Sequence, residues 1–328
     1  MSEFHFTQLT PELILDGIES LDVLVASGLL PLNSYENRVY QFLAEDSKRY
    51  VVKFYRPLRW SNEQILEEHK FSRLLLEDDI PVVAPLAING QTLHQLGDYR
   101  FTLFPSVGGR QFEVDNFDQL ESVGRMLGKM HRISHTNTFK HRPPLSLETH
   151  LSTPLATLKQ YQIVPAHLDT AFFTIIEQLI ARTTERYQHA IANCDEGFRL
   201  HGDVHPGNIL WRDGPMFVDF DDCRNGPAIQ DLWMMLSGDR QTQLLQLDIL
   251  VSAYEEFHEL DYKQLHLIEP LRAMRMVHYM AWLATRWQDP AFPNAFPWFG
   301  EDKYWEGQIL ALKEQYAALD EPVLKLGF

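Results

Sequence analysis

Cysteine is nearly missing from this sequence: only Cys194 and Cys223 occur in 328 residues. Two cysteines build neither a disulfide framework nor a four-thiolate zinc site, and their scarcity suits a reducing cytoplasm. Positive charge is also short. Lys and Arg number 29 against 45 Asp and Glu, a net charge of −16. A surface that acidic repels nucleic acid and anionic membranes, which argues against both as partners. It serves solubility first, and attraction of basic ligands or peptide segments second. No long uncharged apolar run is available to cross a bilayer. The most apolar late stretch, 271–287, carries Arg272, Arg275, His278 and Arg286 and reads as an amphipathic or buried helix. The opening MSEFHFTQLTPE has neither a basic start nor an apolar core, so no secretory leader is expected there.

What is present is ordinary globular material, 45% apolar and 12% aromatic, in a chain long enough for two lobes. Thr10-Pro11 reads as an N-cap and first helical position, opening a helix over 10–26. Residues 39–43 and 49–54 read as two strands joined by a polar turn. Ser61 and Gln64 form a capping-box pattern for a helix running to about Glu77. Short strands are expected at 82–86 and 92–96, and a stronger one at 99–104. After Pro105-Ser106-Val107-Gly108-Gly109 the pattern turns helical, with helices expected over 117–133, 167–191, 244–257, 265–288 and 303–319. The expected architecture is α+β: a small strand-rich lobe over 1–104 and a larger helical lobe over 105–328.

One stretch resists a purely structural reading. LHGDVHPGNILWRDGPMFVDFDD, Leu200–Asp222, sets five Asp, two His and an Asn among large apolar residues. Asp213-Gly214 between apolar runs signals a hairpin. A two-residue loop there places Asn208 opposite Asp219, with Pro215 free to shift the register. An amide oxygen and a carboxylate at one open end are oxygen ligands of the kind Mg²⁺ takes beside substrate phosphates. Asp203 precedes Asn208 by five residues, the spacing of a kinase catalytic loop, and Asp219-Phe220 stands where a kinase metal-binding Asp-Phe stands. Surface-turn acids, or a hydrolase metal site on His201, Asp203 and His205, are the competing explanations. The two histidines are expected to brace the loop and orient Asp203. Asp231 is expected to brace it too.

The small lobe supplies a candidate phosphate-gripping residue. Lys53 ends the strand run Tyr50-Val51-Val52-Lys53. The helix after it carries two glutamates. Glu68 is the expected partner of Lys53, with Glu67 the spare. Residues 32–38, where a Gly-rich phosphate loop would lie, contain no glycine. Turn-formers Asn33, Ser34 and Asn37 replace it in this reading, with the Ser34 hydroxyl near the phosphates. A plain connecting loop is the alternative.

With these residues in view, a family resemblance is plain. The run from His201 to Asn208, then Asp219-Phe220-Asp221-Asp222, then Gly226-Pro227-Ala228 with Asp231-Leu232, resembles the aminoglycoside phosphotransferase and choline kinase superfamily. Asn33 to Tyr40, Val52 to Pro57 and Leu210 to Asp219 resemble, more narrowly, the bacterial stress response kinase A family, which phosphorylates protein Ser and Thr. The resemblance covers almost the whole chain. It implies a protein-kinase-like two-lobed fold. It also implies Asp203 as catalytic base, Asn208 and Asp219 as Mg²⁺ ligands, Lys53 on the ATP phosphates and Ser34 in the ATP site. The sequence departs from ordinary protein kinases in lacking the Gly-rich loop, the Gly after Asp-Phe and an activation loop ending in Ala-Pro-Glu.

The resulting expectation is a cytoplasmic, monomeric, ATP- and Mg²⁺-dependent Ser/Thr protein kinase, with the chain itself among its candidate acceptors. The catalytic residues are Asp203 and Asp219, and the metal ligands Asn208 and Asp219. Ser34, Lys53, Glu68, Phe104 and Val107 hold the nucleotide, adenine lying under the 104–107 hinge. Helices after residue 240 line the acceptor. The alternatives are a kinase for a small amino alcohol, amino acid or sugar, and an ATP-binding scaffold without turnover. The intact Lys53, Asp203, Asn208 and Asp219 set argues against the scaffold.

Overall fold

The structure, a computed structural model, describes residues 6–32, 34–195 and 197–327. Its first part is helix α1 (Pro11–Glu19), strands β1 (Leu30–Pro31), β2 (Arg38–Leu43) and β3 (Arg49–Phe54), helix α2 (Asn62–Glu77), and strands β4 (His94–Leu96) and β5 (Tyr99–Pro105). The strands form one antiparallel sheet in the order β1-β2-β3-β5-β4. Lys53 stands opposite Val39 on one side and Thr102 on the other, in the middle of that sheet. Thr10 caps α1 through its side chain, 3.2 Å from Leu13 N, and Ser61 and Gln64 close the capping box on α2.

The helical part follows: β6 (Arg110–Gln111), α3 (Phe117–Ser134), α4 (Thr153–Tyr161), α5 (Asp169–Ile191), β7 (Phe198–Leu200), β8 (Ile209–Trp211), β9 (Pro215–Phe217), β10 (Arg224–Gly226), α6 (Gln230–Trp233), α7 (Arg240–Tyr254), α8 (Ile268–Arg286), α9 (Ala291–Ala295) and α10 (Asp302–Ala318). The sequence expectation of an α+β chain, strands first and helices after, is met. Helix α3 packs tightly on α7 because Gly128 presents no side chain: a Cβ there would lie 2.2 Å from Tyr254 O.

The described residues form two apolar cores. Ile14, Ile18, Phe42, Val52, Phe54, Phe101 and Leu103 fill the space between α1 and the sheet. The larger core gathers the helices, and it reaches back to α2 through Phe71 and Leu75. Phe71 meets Phe139 and Phe220 edge-on, at 5.3 and 5.9 Å between ring centres. So α2, though early in the chain, is packed against the segment that follows β9.

Four expectations need correcting. Helix α1 stops at Glu19, because Asp22 adopts a left-handed φ of 60° and Val25 bridges to Ala44 at the sheet's edge. Residues 82–86 form no strand: Val82 makes a single parallel bridge to Phe217, and Val83 N donates to Phe217 O. The hairpin register is one residue off. Ile209 faces Phe217 and Trp211 faces Pro215, so the loop has three residues, 212–214, with Asp213 left-handed at φ 58°. Asn208 therefore lies level with Val218, whose N–H it accepts at 3.0 Å. Finally, the stretch 265–288 begins as 3₁₀ turns over Tyr262–Leu267 before α8. Helix α4 and the π-turn Glu148–Ser152 before it were not anticipated.

Candidate active site

The loop between β7 and β8 carries Asp203, and it is fixed from below. Asp231 at the start of α6 is fully buried and accepts the N–H of His201 at 2.9 Å and of Gly202 at 2.7 Å. His131 of α3 lies 3.1 Å from the same carboxylate, and its other nitrogen meets Tyr254 OH at 2.9 Å. Gly202 has φ +86°, and a Cβ there would lie 2.3 Å from Asp222 O, so the loop needs glycine for both reasons. His201 donates from Nε2 to Val218 O at 3.0 Å, tying the loop to the strand that leads into Asp219. His205 accepts from Gly207 N at 3.0 Å and lies 3.4 Å from Asp203 Oδ2. Both histidines and Asp231 thus brace the loop, as expected. His201 is turned to a carbonyl, which tells against the hydrolase metal site.

Asp203 has three close neighbours. Asn208 donates to its carbonyl at 3.0 Å and to Oδ2 at 3.3 Å. Arg275 of α8 donates to Oδ1 at 2.5 Å. Burial disfavours the charged carboxylate, but the His205 hydrogen bond and the Arg275 charge outweigh it and hold the carboxyl at about 2. Asp203 is therefore an anion in neutral solution.

Asp219 follows β9 in a left-handed conformation, φ 60°, with its side chain half exposed. Lys53 Nζ reaches it at 3.1 Å and also bonds Asp221. Burial opposes the lysine's charge, yet the two aspartates raise its pKa, so the buried ammonium is retained. The expected ion pair with Glu68 is absent from this arrangement. Glu68 instead receives Arg142 Nη2 at 2.8 Å, and Glu67 accepts three backbone N–H groups, of Lys140, His141 and Arg142, at 2.8–3.0 Å. Burial pushes the Glu68 carboxyl up to about 7, Asp221 adding to that against the charges of Lys53 and Arg142.

Asp221 is the residue that the sequence reading undervalued. It is buried and takes Lys53, Asn37 Nδ2 and, at 3.3 Å, Arg59 Nη1. Asn37 is thereby locked in place, its Oδ1 accepting Arg56 N at 3.0 Å, and is no phosphate-loop donor. Asn33 lies outside the described residues. Glu36, next to Asn37 in the chain, accepts from Trp282 Nε1 at 2.6 Å and Arg286 Nη2 at 3.0 Å, fastening the segment before β2 to α8.

Two cavities meet here. A cleft of about 290 Å³ is lined by Ser34, Lys53, Glu68, Phe104, Val107, Asn208 and Asp219, all expected in the sequence. Val39 and Val51 from the sheet and Leu210 and Val218 from the hairpin give it apolar walls. A second cavity, of about 470 Å³, is lined by Asp203, Arg275, Tyr279, Trp282 and Phe296 among others. Ser34, Asn208 and Asp219 line both. The arrangement can seat a flat ring between apolar walls and place charged groups where the two spaces join.

Comparison with known proteins agrees with this geometry. Residues 28–268 match the model of the phosphotransferase enzyme family. Stress response kinase A of Escherichia coli O157:H7 is 53% identical over 325 residues, covering 99% of this chain and 98% of the relative. This chain belongs to the stress response kinase A family. It is a kinase. A further relative, serine/threonine protein kinase RdoA of Salmonella typhimurium strain LT2, is 52% identical and covers 98% and 97% of the two chains. Among solved structures, amicoumacin kinase hAmiN in complex with AMP-PNP, Ca²⁺ and Ami superposes with a TM-score of 0.72 at 18% identity, over 97% of this chain and 95% of that one. A microcompartment-associated aminopropanol kinase gives 0.71, also at 18% identity, over 95% and 100%. These likenesses establish the two-lobed phosphotransferase fold for this member of the stress response kinase A family.

No helix among the described residues is long and apolar enough to cross a membrane.

Proposed function

We propose that this kinase transfers the γ-phosphoryl group of ATP, with Mg²⁺, to a Ser or Thr hydroxyl of a protein, the chain itself among the candidates. The observation that carries the reading is the junction of the two cavities at Asn208 and Asp219, with Lys53 on the nucleotide side and Asp203 on the acceptor side. ATP lies in the smaller cleft, its adenine between Val51 and Leu210 near Phe104 and Val107, and its phosphates toward Ser34 and Lys53. Residues 1–104 serve as the nucleotide lobe, and 105–328 carry the base, the metal ligands and the acceptor wall. The protein acts in the cytoplasm, where its two free cysteines stay reduced.

The residues fit a cation that takes most of its ligands from phosphate. Among the described residues no three His, Cys, Asp or Glu cluster as a self-sufficient site. Asp219 is half exposed, and Asn208 uses its amide N–H on Asp203, which leaves Oδ1 for a cation. One or two such oxygen ligands beside phosphates are what Mg²⁺ takes. When bound, the ion neutralises charge developing on the phosphates. Asp203 accepts the hydroxyl proton, and Lys53 holds the phosphates in line.

The size of the acceptor cavity also favours a second reading. About 470 Å³, walled by Tyr279, Trp282 and Phe296, is within the range of pockets for small ligands. The deciding experiment is incubation with ATP, Mg²⁺ and a generic basic protein, followed by phosphopeptide mapping, with Asp203→Asn as control. Phosphoserine or phosphothreonine formed only by the unaltered chain is the expected result. Its absence, with rapid ATP use on choline, homoserine or an aminoglycoside, would transfer the site to small acceptors.

A further inference from the structure

A larger cavity, of about 640 Å³, lies apart from both of these, between α2 and the β4–β5 hairpin. Its charge is unusual for this chain. Acids outnumber bases 45 to 29 in the sequence, yet the cavity is lined by Lys70, Arg73 and Arg100, with His69 and His94, and by no Asp or Glu. The three cations lack strong partners. Arg100 is half-buried, and Nη1 donates to Trp60 O at 2.6 Å and Asn62 Oδ1 at 3.1 Å, both neutral. It has no carboxylate partner among the described residues. Burial draws its pKa below the guanidinium range, with only Tyr55 opposing. Arg73 makes one long contact, 3.9 Å, to Glu77 outside the cavity, and Lys70 makes no ion pair among the described residues.

A partly desolvated cation without a counter-charge is costly, and an anion arriving from solvent relieves it. Three cations around one space suit a group with more than one negative charge, and the planar Arg fork matches phosphate oxygens. We propose that this cavity binds a phosphate-bearing anion, held by Lys70, Arg73 and Arg100. The site is connected to the nucleotide cleft. His69 on its wall joins Thr92 Oγ1 at 2.8 Å to Tyr55 OH at 2.7 Å, and Lys53 Nζ lies 5.4 Å from the centre of the Tyr55 ring.

The test uses the full chain with its nucleotide cleft saturated by a non-hydrolysable ATP analogue. Labelled inorganic phosphate and a phosphoserine peptide are each titrated by equilibrium dialysis, with the unphosphorylated peptide as control. Saturable binding that weakens with salt is expected, reduced at least fivefold by Lys70→Ala/Arg73→Ala and by Arg100→Gln. The double variant removes only side chains at the surface of α2, so it decides the matter if Arg100→Gln fails to fold. A peptide bound tenfold more tightly than phosphate makes a phosphorylated segment the source. Equal binding makes it free phosphate, and either upholds the site. No saturable binding of either probe, or binding unchanged in the double variant, overturns it.

Discussion

Arg275 Nη1 lies 2.5 Å from Asp203 Oδ1, so a cation from α8 covers the carboxylate oxygen that Asn208 leaves open. With Asp203 as the proposed base, an acceptor hydroxyl would reach it beside this guanidinium or by displacing it, and a cation would stand next to the centre where negative charge moves during transfer. Arg275→Ala is expected to lower kcat by about tenfold or more, with affinity for an ATP analogue within about twofold of the unaltered chain. The side chain is 44% exposed, so an unchanged kcat would reduce the contact to a surface ion pair of little energetic weight.

Asp203→Asn keeps the size of the side chain and removes the proposed base. Turnover is expected to fall by a factor on the order of 10² or more, with nucleotide binding nearly intact. Calorimetric titration with an ATP analogue, set beside the turnover rate, measures the two separately. Equal loss of both would put Asp203 in binding.

Asp219→Ala and Asn208→Ala each remove a proposed Mg²⁺ ligand at the cavity junction. Each is expected to raise the Mg²⁺ concentration that half-saturates ATP-analogue binding, by about tenfold for the charged ligand and less for the amide. Wild-type Mg²⁺ dependence in both variants would remove the metal from this junction.

Lys53 and Glu68 are expected to separate on mutation. Asp221 holds Lys53, Arg59 and Asn37 together in the buried space, so Asp221→Ala takes one carboxylate from each of two cations, leaving Lys53 with Asp219 and Arg59 with Asp222. A loss of about 1.5–3 kcal/mol is expected, read from the denaturant midpoint. Glu68→Gln keeps an acceptor for Arg142 and is expected to be milder. A larger rise in the KM for ATP from Glu68→Gln than from Asp221→Asn would mean that Lys53 changes partners when nucleotide binds.

The grouping of the candidate site residues was legible because their spacing is local. Asp203, Asn208 and Asp219 lie within seventeen residues of one another in a hairpin whose ends must meet, and a one-residue error in register left them together. The strands 38–43 and 49–54 and the helix from Asn62 were legible from alternation and capping. The partners of Lys53 were not. Asp221, two residues from a predicted ligand, read as one more acid in a run, and nothing in the sequence ranks it above Glu68. Arg142 sits in a stretch without periodicity, and its role depends on chain reversal between α3 and α4. Arg275 was visible as a charge on an apolar helix, but only the packing of α8 over the β7–β8 loop turns it toward Asp203.

His69 gives the fold an acid-sensitive point. It is 1% exposed between Tyr55 and Thr92, and burial, with the Lys53 charge adding to it, brings its pKa down to about 3. The unfolded chain's histidine titrates near its ordinary value of about 6.5. Above that pH both states hold a neutral ring and stability does not depend on it. Below it the unfolded chain takes up a proton that the folded chain refuses. Stability therefore falls as pH drops from about 6.5 toward 3, at up to about 1.4 kcal/mol per pH unit for this group. Most carboxylates titrate lower, but Glu68, pushed up to about 7, takes up its proton in the folded chain over the interval from about 6.5 to 5 and offsets one such histidine. The contribution of His69 is therefore read from the difference between two proteins that both keep Glu68. His150 is also buried, with burial and Arg224 holding its pKa well below the usual range, and contributes in the same direction. Urea midpoints measured across that interval are expected to decline in the unaltered chain and to decline less steeply in His69→Gln, which keeps a hydrogen-bonding side chain and cannot titrate. The same slope in both proteins would show that His69 is protonated in the folded state, and that the hydrogen bonds linking Thr92 and Tyr55 through a neutral ring are drawn wrongly.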